Sequence, residues 1–350
     1  IHTLRWVESL TSRNFKIKLF SLFKPKKDLI GKYKRINVKV VSPDIKINNL
    51  REPNISKIKY LLAMPLLKKT IKDFKPNILH AHYASSYGIL GYLSKFKPFI
   101  LSVWGSDIYH FPNKNLLNKF ILRLVIKNSD KICSTSSAMK KIIEDEYKRF
   151  DVELISFGID LELFKPAKNK KNFVVGTVKS IENHNGIGCL IDAAKLVIFN
   201  HKKDINFLIV GDGLLKKEMQ QKAKDLNLHD RIKFVGFIPH PNVIKYFNDL
   251  SVFVAVSERE SFGVSVLEAA ACKVPSITSN IGGLPEVNID NETGIIINPN
   301  DSKKLAESIV ILYDNDRLRA RLAENARKRV SRLFNWKNDL NNMIKIYEQF

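Results

Sequence analysis

The sequence predicts an α/β protein built from two doubly wound domains, because helical and strand patterns alternate along the whole chain. A length of 350 residues corresponds to about two domains. The segment at residues 164–172 (FKPAKNKKN) is polar, rich in Lys and punctuated by Pro, which is typical of a linker. We expect a cleft between the domains, since ligands of such folds bind in crevices.

In the first half of the chain, apolar residues recur at helical spacing or in short runs typical of buried strands. The predicted helices cover residues 2–12, 55–74, 86–95, 116–126 and 138–146. The predicted strands cover residues 16–23, 36–41, 78–82, 99–103 and 131–135. Residues 104–112 are predicted to form a loop.

The second half repeats this alternation, so a second parallel sheet is expected there. Its predicted strands cover residues 173–178, 205–210, 232–234, 252–256, 276–278 and 295–297. Its predicted helices cover residues 188–199, 214–226, 243–248 and 264–271, and two more begin at Lys303 and Asp316.

The composition excludes several classes of protein. With 45% hydrophobic and 27% charged residues the chain is globular rather than disordered, and no apolar run is long enough for a membrane-spanning helix. Cys133, Cys189 and Cys272 are scattered, which argues against a disulfide framework or structural zinc and favours the cytoplasm. The chain begins at Ile1 with no apolar signal region, so we expect an incomplete start.

The net charge of +23 is unevenly spread. Residues 1–165 carry 31 basic and 14 acidic side chains, a net +17, and residues 166–350 carry 27 and 21, a net +6. A basic first half suggests nucleic acid, an anionic membrane surface or a phosphorylated ligand as partner. Solvated Lys faces are the equally weighted alternative. The sequence has no helix-turn-helix or aromatic-interleaved basic motif that would favour nucleic acid.

The densest motif is ESFGVSVLE, in which seven residues separate Glu260 from Glu268. It follows an apolar strand and enters a helix, where unpaired N–H groups and the helix dipole suit a phosphate or sugar hydroxyls. Carboxylates at such a junction only accept hydrogen bonds and can hold vicinal hydroxyls of a ribose or a hexose. The plainer alternative is one Glu favoured by the dipole and one solvated Glu.

Other candidate residues fall at the ends of predicted strands. Gly282-Gly283 allow close backbone approach or a positive φ, although an ordinary Gly-Gly turn is the favoured alternative. Gly211-Asp212-Gly213 is a strand-to-helix turn without the third glycine of a GxGxxG motif. In the first half, HAHY (residues 80–83) and WGSD (residues 104–107) end neighbouring strands, at the edge where such sheets bind ligands. A His-x-His pair could ligate a metal, but no third ligand is evident, so a core or substrate-contacting role is favoured for the histidines.

Taken in order, these motifs resemble the family 4 glycosyltransferases of the two-domain GT-B fold. The likeness is carried by VGTVKSIENHNGIG, SERESFGVSVLEAA and SNIGGLPE in the second half. In the first half it is carried by IHTLRWVESL, ILHAHYASSYG, LSVWGSD and ISFGIDLELFKP. The resemblance implies a retaining, metal-independent enzyme that moves a sugar from a UDP- or GDP-sugar onto a glycan or lipid-linked acceptor, at the cell envelope.

The resemblance also implies roles for individual residues. Glu260 would face the donor sugar, Lys179 would supply charge to the diphosphate, and Glu268 would bind the ribose. The donor would further contact Phe262, Gly263, Val264, Gly211 and Gly213. Acceptor contacts are expected at His82, Tyr83, Ser85 and Asp107. Residues 1–165 would form the acceptor domain, with 336–350 as a helix packing back on it, and residues 172–335 the donor domain.

Four departures from the family pattern accompany the likeness. A first strand is expected before Ile1, Trp104 stands where a His is common, and Phe157 replaces the Asn of a PNGVD motif. Asn185 stands where a second basic residue is expected. A sugar-nucleotide-binding protein without transfer activity is therefore the alternative function, and a nucleic-acid binder the more remote one.

Overall fold

The structure, a computed structural model, describes residues 2–43, 57–167 and 172–350 and divides into two compact units. The first unit comprises Ile1–Thr135, Met139–Ile155 and Leu340–Phe350, and the second comprises Ser136–Ala138 and Ser156–Asp339. This division places residues 156–165 in the second unit, whereas the sequence predicts them in the first. The reason is visible at Phe164, which is buried with its ring 6.1 Å from that of Phe247.

The predicted linker and one predicted helix lie partly outside the described residues. Residues 168–171 of the linker and residues 55 and 56 of the helix are not among them.

The first unit alternates short strands with helices. Its strands are β1 (Lys18–Phe20), β2 (Lys39–Val41), β3 (Leu79–His82), β4 (Phe99–Val103), β5 (Lys131–Ser134) and β6 (Val152–Leu154). Its helices are α1 (His2–Thr11), α2 (Lys27–Arg35), α3 (Met64–Phe74), α4 (Ile89–Ser94), α5 (Ser106–Tyr109), α6 (Leu116–Asn128) and α7 (Ser137–Tyr147).

All strand pairs of this unit are parallel. β1 pairs with β2, and a separate four-stranded sheet has the order β3-β4-β5-β6. All five residues of β4 are buried, as expected for a strand covered on both faces. Helix α6 packs on this sheet through Leu122, Val125 and Ile126. Packing of α6 thus holds this sheet in place, and the residues that follow His82 and Val103 lie at the edge formed by the carboxyl ends of β3 and β4.

The second unit contains a larger sheet. Its strands are β7 (Val174–Val178), β8 (Asn206–Val210), β9 (Ile232–Gly236), β10 (Val252–Ala255), β11 (Ser276–Ser279) and β12 (Gly294–Ile297). Its helices are α8 (Ile187–Lys195), α9 (Lys216–Asp225), α10 (Ile244–Asp249), α11 (Val264–Ala271), α12 (Leu284–Val287), α13 (Ser302–Asp314) and α14 (Asp316–Leu333).

The strand order of this sheet is β12-β11-β10-β7-β8-β9, and every pair is parallel. The chain moves outward from β7 in one direction and then returns to add β10 on its other side. This reversal places a topological switch point between β7 and β10, where the carboxyl ends of two neighbouring strands diverge to leave a crevice. The doubly wound α/β prediction is confirmed.

Several predicted elements differ in detail. Residues 104–112 are not wholly a loop, since α5 lies within them, and β6 was not predicted. The expected helix over residues 55–74 begins, among its described residues, as the 3-10 helix Lys57–Ala63 before α3. The helices predicted at 86–95 and 188–199 each include a π-helical turn, Ala84–Gly88 and Leu196–Asn200.

The last helix, α15 (Trp336–Tyr347), begins in the second unit and ends in the first. The Tyr347 hydroxyl lies 2.6 Å from Nδ1 of His80, and its ring is 5.9 Å from that of Phe15. Across the described part of the chain, every helix is too short or too polar to traverse a lipid bilayer.

Candidate functional site

Lys179 and Glu260 form a close ion pair at the switch point of the second sheet. Lys179 follows β7 and Glu260 lies in the loop after β10. The Lys179 Nζ atom is 2.5 Å from Oε2 of Glu260 and 2.8 Å from the hydroxyl oxygen of Ser257. The side chains are only 9% and 20% exposed. The structure thus brings together two residues 81 positions apart in sequence, at the edge where doubly wound sheets bind ligands.

Two glycines hold the loops of this ion pair in place. Gly282 adopts φ 55°, and a Cβ there would collide with the carbonyl oxygen of Glu260. Gly211 has φ 149°, and a Cβ would collide with the carbonyl oxygen of Lys179. Only glycine permits both the left-handed backbone and the close approach. The same approach recurs at Gly213, which packs on Ile181, so these glycines support the loop that carries Lys179.

The helix α11 starts immediately after this loop. Gly263, at φ 102°, precedes Val264, the first residue of the helix. Phe262 is buried, with its ring 5.8 Å from that of Phe334, so its side chain anchors the turn. The first N–H groups of a helix lack partners within the helix and carry the positive end of its dipole. The turn is therefore suited chemically to an anion or to hydroxyl oxygens.

Glu268, in the second turn of α11, is bonded to a residue that the sequence analysis missed. Its Oε1 atom lies 2.6 Å from Nε2 of His240, and the Glu268 side chain is 8% exposed. The His240 ring also lies 5.6 Å from the ring of Phe164. A depression of about 390 Å³ is lined by the neighbouring residues Ile238, Pro241, Asn242 and Lys245.

Asn185, which stands where a basic residue was expected, is buried and has a local function. Its Nδ2 donates to both the carbonyl and the hydroxyl oxygen of Ser180, at 2.9 Å each. This ties the turn before α8 to the loop after Lys179. Asn185 thus supplies hydrogen bonds within the loop and no positive charge.

In the first unit, His82 lies at the end of β3 among other rings. Its ring is 4.5 Å from that of His80 and 4.9 Å from that of Trp104. Burial lowers the pKa of His82 to about 4, and burial together with His82 holds the pKa of His80 well below its usual value. His80 also bonds the hydroxyl of Ser102 at 2.8 Å. Both imidazoles are therefore neutral near pH 7.

Tyr83, Ser85 and Asp107 surround the same strand end but differ in accessibility. Tyr83 adopts φ 86° and its hydroxyl contacts the Ser106 hydroxyl. Ser85 is buried. Asp107 is fully buried, and its carboxylate accepts N–H bonds from Ala84 and Gly105 at 2.8 Å each.

The Asp107 carboxyl also accepts the N–H of Trp104, at 3.2 Å. Burial raises the pKa of Asp107, and these backbone bonds act against the rise. Asp107 therefore shapes the turn after β4, while its oxygens are already occupied by backbone donors.

Three further residues were assigned no role from the sequence, although Ser257 and Glu286 lie in motifs that carry the resemblance, because their partners are distant in sequence. They are His240, Ser257 and Glu286, whose carboxylate accepts the N–H groups of Ser137 and Ala138 at 2.8 and 2.7 Å. A Pro-His pair following a strand is the only signal that could have indicated His240. Residues 2–43, 57–167 and 172–350 hold no cluster of three or more His, Cys, Asp or Glu side chains suited to a metal ion.

Comparison with known proteins shows the family to which the chain belongs. Residues 159–329 match the family model of the glycosyl transferases group 1, and residues 1–136 match that of the glycosyl transferase 4-like proteins. The chain is 30% identical over 297 residues to an uncharacterised glycosyltransferase of Methanocaldococcus jannaschii, covering 83% of this chain and 81% of that protein.

Two further likenesses agree with this. The chain is 29% identical over 305 residues to the UDP-Gal:alpha-D-GlcNAc-diphosphoundecaprenol alpha-1,3-galactosyltransferase of Escherichia coli, covering 81% of this chain and 78% of that one. The crystal structure of Anabaena HepE in complex with UDP-glucose aligns at a TM-score of 0.82 and 19% identity, covering 100% of this chain and 96% of that chain.

The fold is that of the GT-B glycosyltransferases. The chain belongs to the group 1 glycosyl transferases, the family 4 enzymes of that fold, and it is a glycosyltransferase. The resemblance drawn from its sequence motifs is confirmed.

Proposed function

We propose that this enzyme transfers a sugar, with retention of anomeric configuration, from a UDP- or GDP-sugar to a glycan or lipid-linked acceptor. The product would enter a cell-envelope polysaccharide such as lipopolysaccharide, capsule or exopolysaccharide. The Escherichia coli relative supports this class of donor and acceptor, since its name gives UDP-Gal and a diphosphoundecaprenol-linked sugar. The buried free thiols of Cys133, Cys189 and Cys272 are in keeping with a cytoplasmic enzyme.

The observation that carries the proposal is the Lys179–Glu260 pair beside the start of α11. A cation, a carboxylate and a helix N-terminus meet there at a switch point, which suits a ligand with both a diphosphate and sugar hydroxyls. Glu268 would hold the ribose hydroxyls. Gly211 and Gly213 would act by supporting the Lys179 loop. We assign donor binding to residues 172–335.

Acceptor binding is assigned to the first unit, which includes residues 340–350, rather than to the whole of residues 1–165 and 336–350. His82 and Tyr83 supply rings at the end of β3, and Ser85 and Asp107 shape the turns beside them. The excess of positive charge in this part of the chain would draw the enzyme to the inner face of an anionic membrane.

The proposed mechanism relies on side chains and backbone dipoles rather than a metal ion or other cofactor. As the bond between sugar and diphosphate breaks, Lys179 and the N-terminus of α11 stabilise the departing negative charge. The departing phosphate takes the proton of the acceptor hydroxyl, so no protein base is needed. Glu260 orients the sugar and stabilises positive charge that develops at its ring.

Transfer would be tested by incubating the chain with UDP- and GDP-sugars and a lipid-linked glycan, with the product's anomeric configuration read by NMR. We expect retention of anomeric configuration, and activity that survives a metal chelator.

A variant of Glu260 tests the mechanism. Glu260→Gln should lower turnover more than it lowers donor affinity. Glu258→Gln serves as the matched control, since the Glu258 side chain is exposed on the same loop. Inversion of configuration, or a sugar trapped covalently on Glu260, would overturn the mechanism.

A second candidate function, donor binding without transfer, is favoured by Asn185. Asn185 is neutral and bonds Ser180, so this position does not offer the second positive charge that would bind a diphosphate. A chain that gains thermal stability with a nucleotide sugar, but neither transfers nor hydrolyses it, would establish this alternative.

A further inference from the structure

Helix α6 carries two apolar faces rather than one. Leu122, Val125 and Ile126 are fully buried against the sheet of the first unit. On the outward side, Leu116, Leu117 and Phe120 are 85%, 64% and 58% exposed. A helix on the surface of a globular domain ordinarily presents polar side chains outward. The outward apolar side chains of α6, which we call the α6 face, are thus largely uncovered by the residues of the unit that the structure describes.

The exposure is not a consequence of a frayed helix end. Asn115 caps α6, since its side-chain oxygen accepts the N–H of Asn118 at 2.8 Å. Phe111 and Pro112, in the connection before it, are buried. Leu116 and Phe120 are four residues apart and Leu117 and Phe120 three apart, so the three side chains lie together on the helix surface.

Positive charge surrounds this face. Residues 114–128 contain four basic and no acidic residues: Lys114, Lys119, Arg123 and Lys127. The carboxylate of Glu146 reaches this region, and it is paired with Lys119 at 2.9 Å. Lys114, Arg123 and Lys127 are exposed. Apolar side chains flanked by Lys and Arg are the composition of a helix that lies in the interface of an anionic bilayer.

The positive charge around the α6 face also favours one kind of binding partner over the others. A second copy would bring one unit with a large positive charge against another, which like-charge repulsion opposes. Nucleic acid would be held by cations and stacking aromatic rings, and it gains little from Leu116 and Leu117. An anionic lipid surface satisfies both the apolar and the basic side chains.

We propose that the α6 face is the membrane-docking surface of this enzyme, with Leu116, Leu117 and Phe120 entering the headgroup region of an anionic bilayer. The role of this docking in reaching a lipid-linked acceptor rests on the proposed function. Helix α6 follows the connection that leaves β4, at the sheet edge where His82 and Tyr83 lie. Docking there would hold that edge near the lipid surface from which a lipid-linked acceptor projects.

The test is sedimentation of the full chain with vesicles of phosphatidylcholine, pure or containing about one-third phosphatidylglycerol. We expect binding to the anionic vesicles that weakens as salt increases. Leu116→Ser/Leu117→Ser/Phe120→Ser should weaken it at least about tenfold. The matched control is Phe199→Ser/Ile311→Ser, which removes two half-exposed apolar side chains of the second unit and should bind as the native chain does.

A second pair of variants tests the charge. Lys114→Gln/Lys127→Gln should weaken binding to the anionic vesicles about fivefold for each charge removed, while the exposed pair Lys217→Gln/Lys303→Gln in the second unit should have a smaller effect. Lys119 is left intact because it pairs with Glu146.

Failure of the native chain to sediment with anionic vesicles would overturn the proposal, as would equal binding by the triple serine variant. A native dimer that the triple variant converts to a monomer, without vesicle binding, would assign the face to a second copy instead. The assay contains no sugar donor, so its outcome is independent of whether the enzyme transfers sugar.

Discussion

The imidazole of His240 and the carboxylate of Glu268 are joined by a 2.6 Å contact between Nε2 and Oε1. His240 belongs to a 3-10 turn after β9, and Glu268 to α11. The ring therefore fixes the direction in which one oxygen of the Glu268 carboxylate points. If Glu268 holds the donor ribose, then His240 positions the group that does so.

This relationship predicts non-additive effects on donor binding. Glu268→Ala should weaken donor affinity by about 1–3 kcal/mol, because hydrogen bonds to the hydroxyls are lost. His240→Ala should weaken it less, and the double variant should lose little more than Glu268→Ala alone. Isothermal titration with nucleotide sugars measures all three affinities.

His229→Ala is the control, since His229 lies 3.4 Å from Asp230 on the exposed surface and should leave affinity unchanged. Strictly additive losses at His240 and Glu268 would contradict a positioning role for His240.

Lys179 provides a second prediction. Lys179→Ala should lower turnover about 100- to 1000-fold, as expected when one group that stabilises developing charge is removed. Steady-state kinetics with the preferred donor measure this. Lys273→Ala breaks the exposed ion pair with Glu324 in the same unit and should keep native turnover. Equal turnover of the Lys179 variant and the native chain would remove Lys179 from the mechanism.

The close approach of Gly282 to Glu260 predicts a loss of stability when a side chain is added at Gly282. Gly282→Ala should lower the free energy of unfolding by at least about 2 kcal/mol, through both the left-handed backbone and the collision with the Glu260 carbonyl. Chemical denaturation gives the free energy. Gly31→Ala, in α2 with no neighbouring atom, should instead be neutral or stabilising by about 0.5–1 kcal/mol. A harmless Gly282→Ala would mean that the loop is free to move away.

The two histidines of β3 predict acid sensitivity in the first unit. The folded pKa of His82, about 4, is below its ordinary value of 6.5, so between these pH values the unfolded chain binds a proton that the folded chain does not. Stability should therefore fall by up to about 3 kcal/mol as the pH falls from about 6.5 to about 4. His80 acts in the same direction.

Hydrogen exchange of the amides of β3 and β4, measured across this pH range, reports on the first unit directly. His82→Gln should flatten the dependence, while His229→Gln, on the surface of the second unit, should keep the native profile. An unchanged pH profile in His82→Gln would show that the ring is not the source of the effect.

The sequence was most informative where local pattern and burial coincide. Helix α11 has the predicted bounds at residues 264–271, and β4 those at residues 99–103, because each is a predominantly apolar segment. β6 was missed because it is only three residues long and two of the three are exposed. α5 was missed because its turn is organised by the buried carboxylate of Asp107, a contact that no propensity encodes.

In the candidate site, too, the sequence indicated residues in local motifs but not their distant partners. The spacing of Glu260 and Glu268 drew attention to both, but the partners of each lie far along the chain. Lys179 is 81 residues from Glu260, and His240 is 28 residues from Glu268. The pair of Lys179 and Glu260 arises because the neighbouring parallel strands β7 and β10 bring their carboxyl ends to one edge, an order that the sequence pattern does not specify.

The contact between Tyr347 and His80 has a consequence for biosynthesis. Residues 340–350 belong to the first unit, and the buried Tyr347 hydroxyl completes the surroundings of His80. As the ribosome synthesises the chain from its amino terminus, domains ordinarily fold in order of emergence. The surroundings of His80 are therefore completed only once residues 340–350 have been synthesised, so the half of the enzyme that is translated first depends on a segment translated after the second unit.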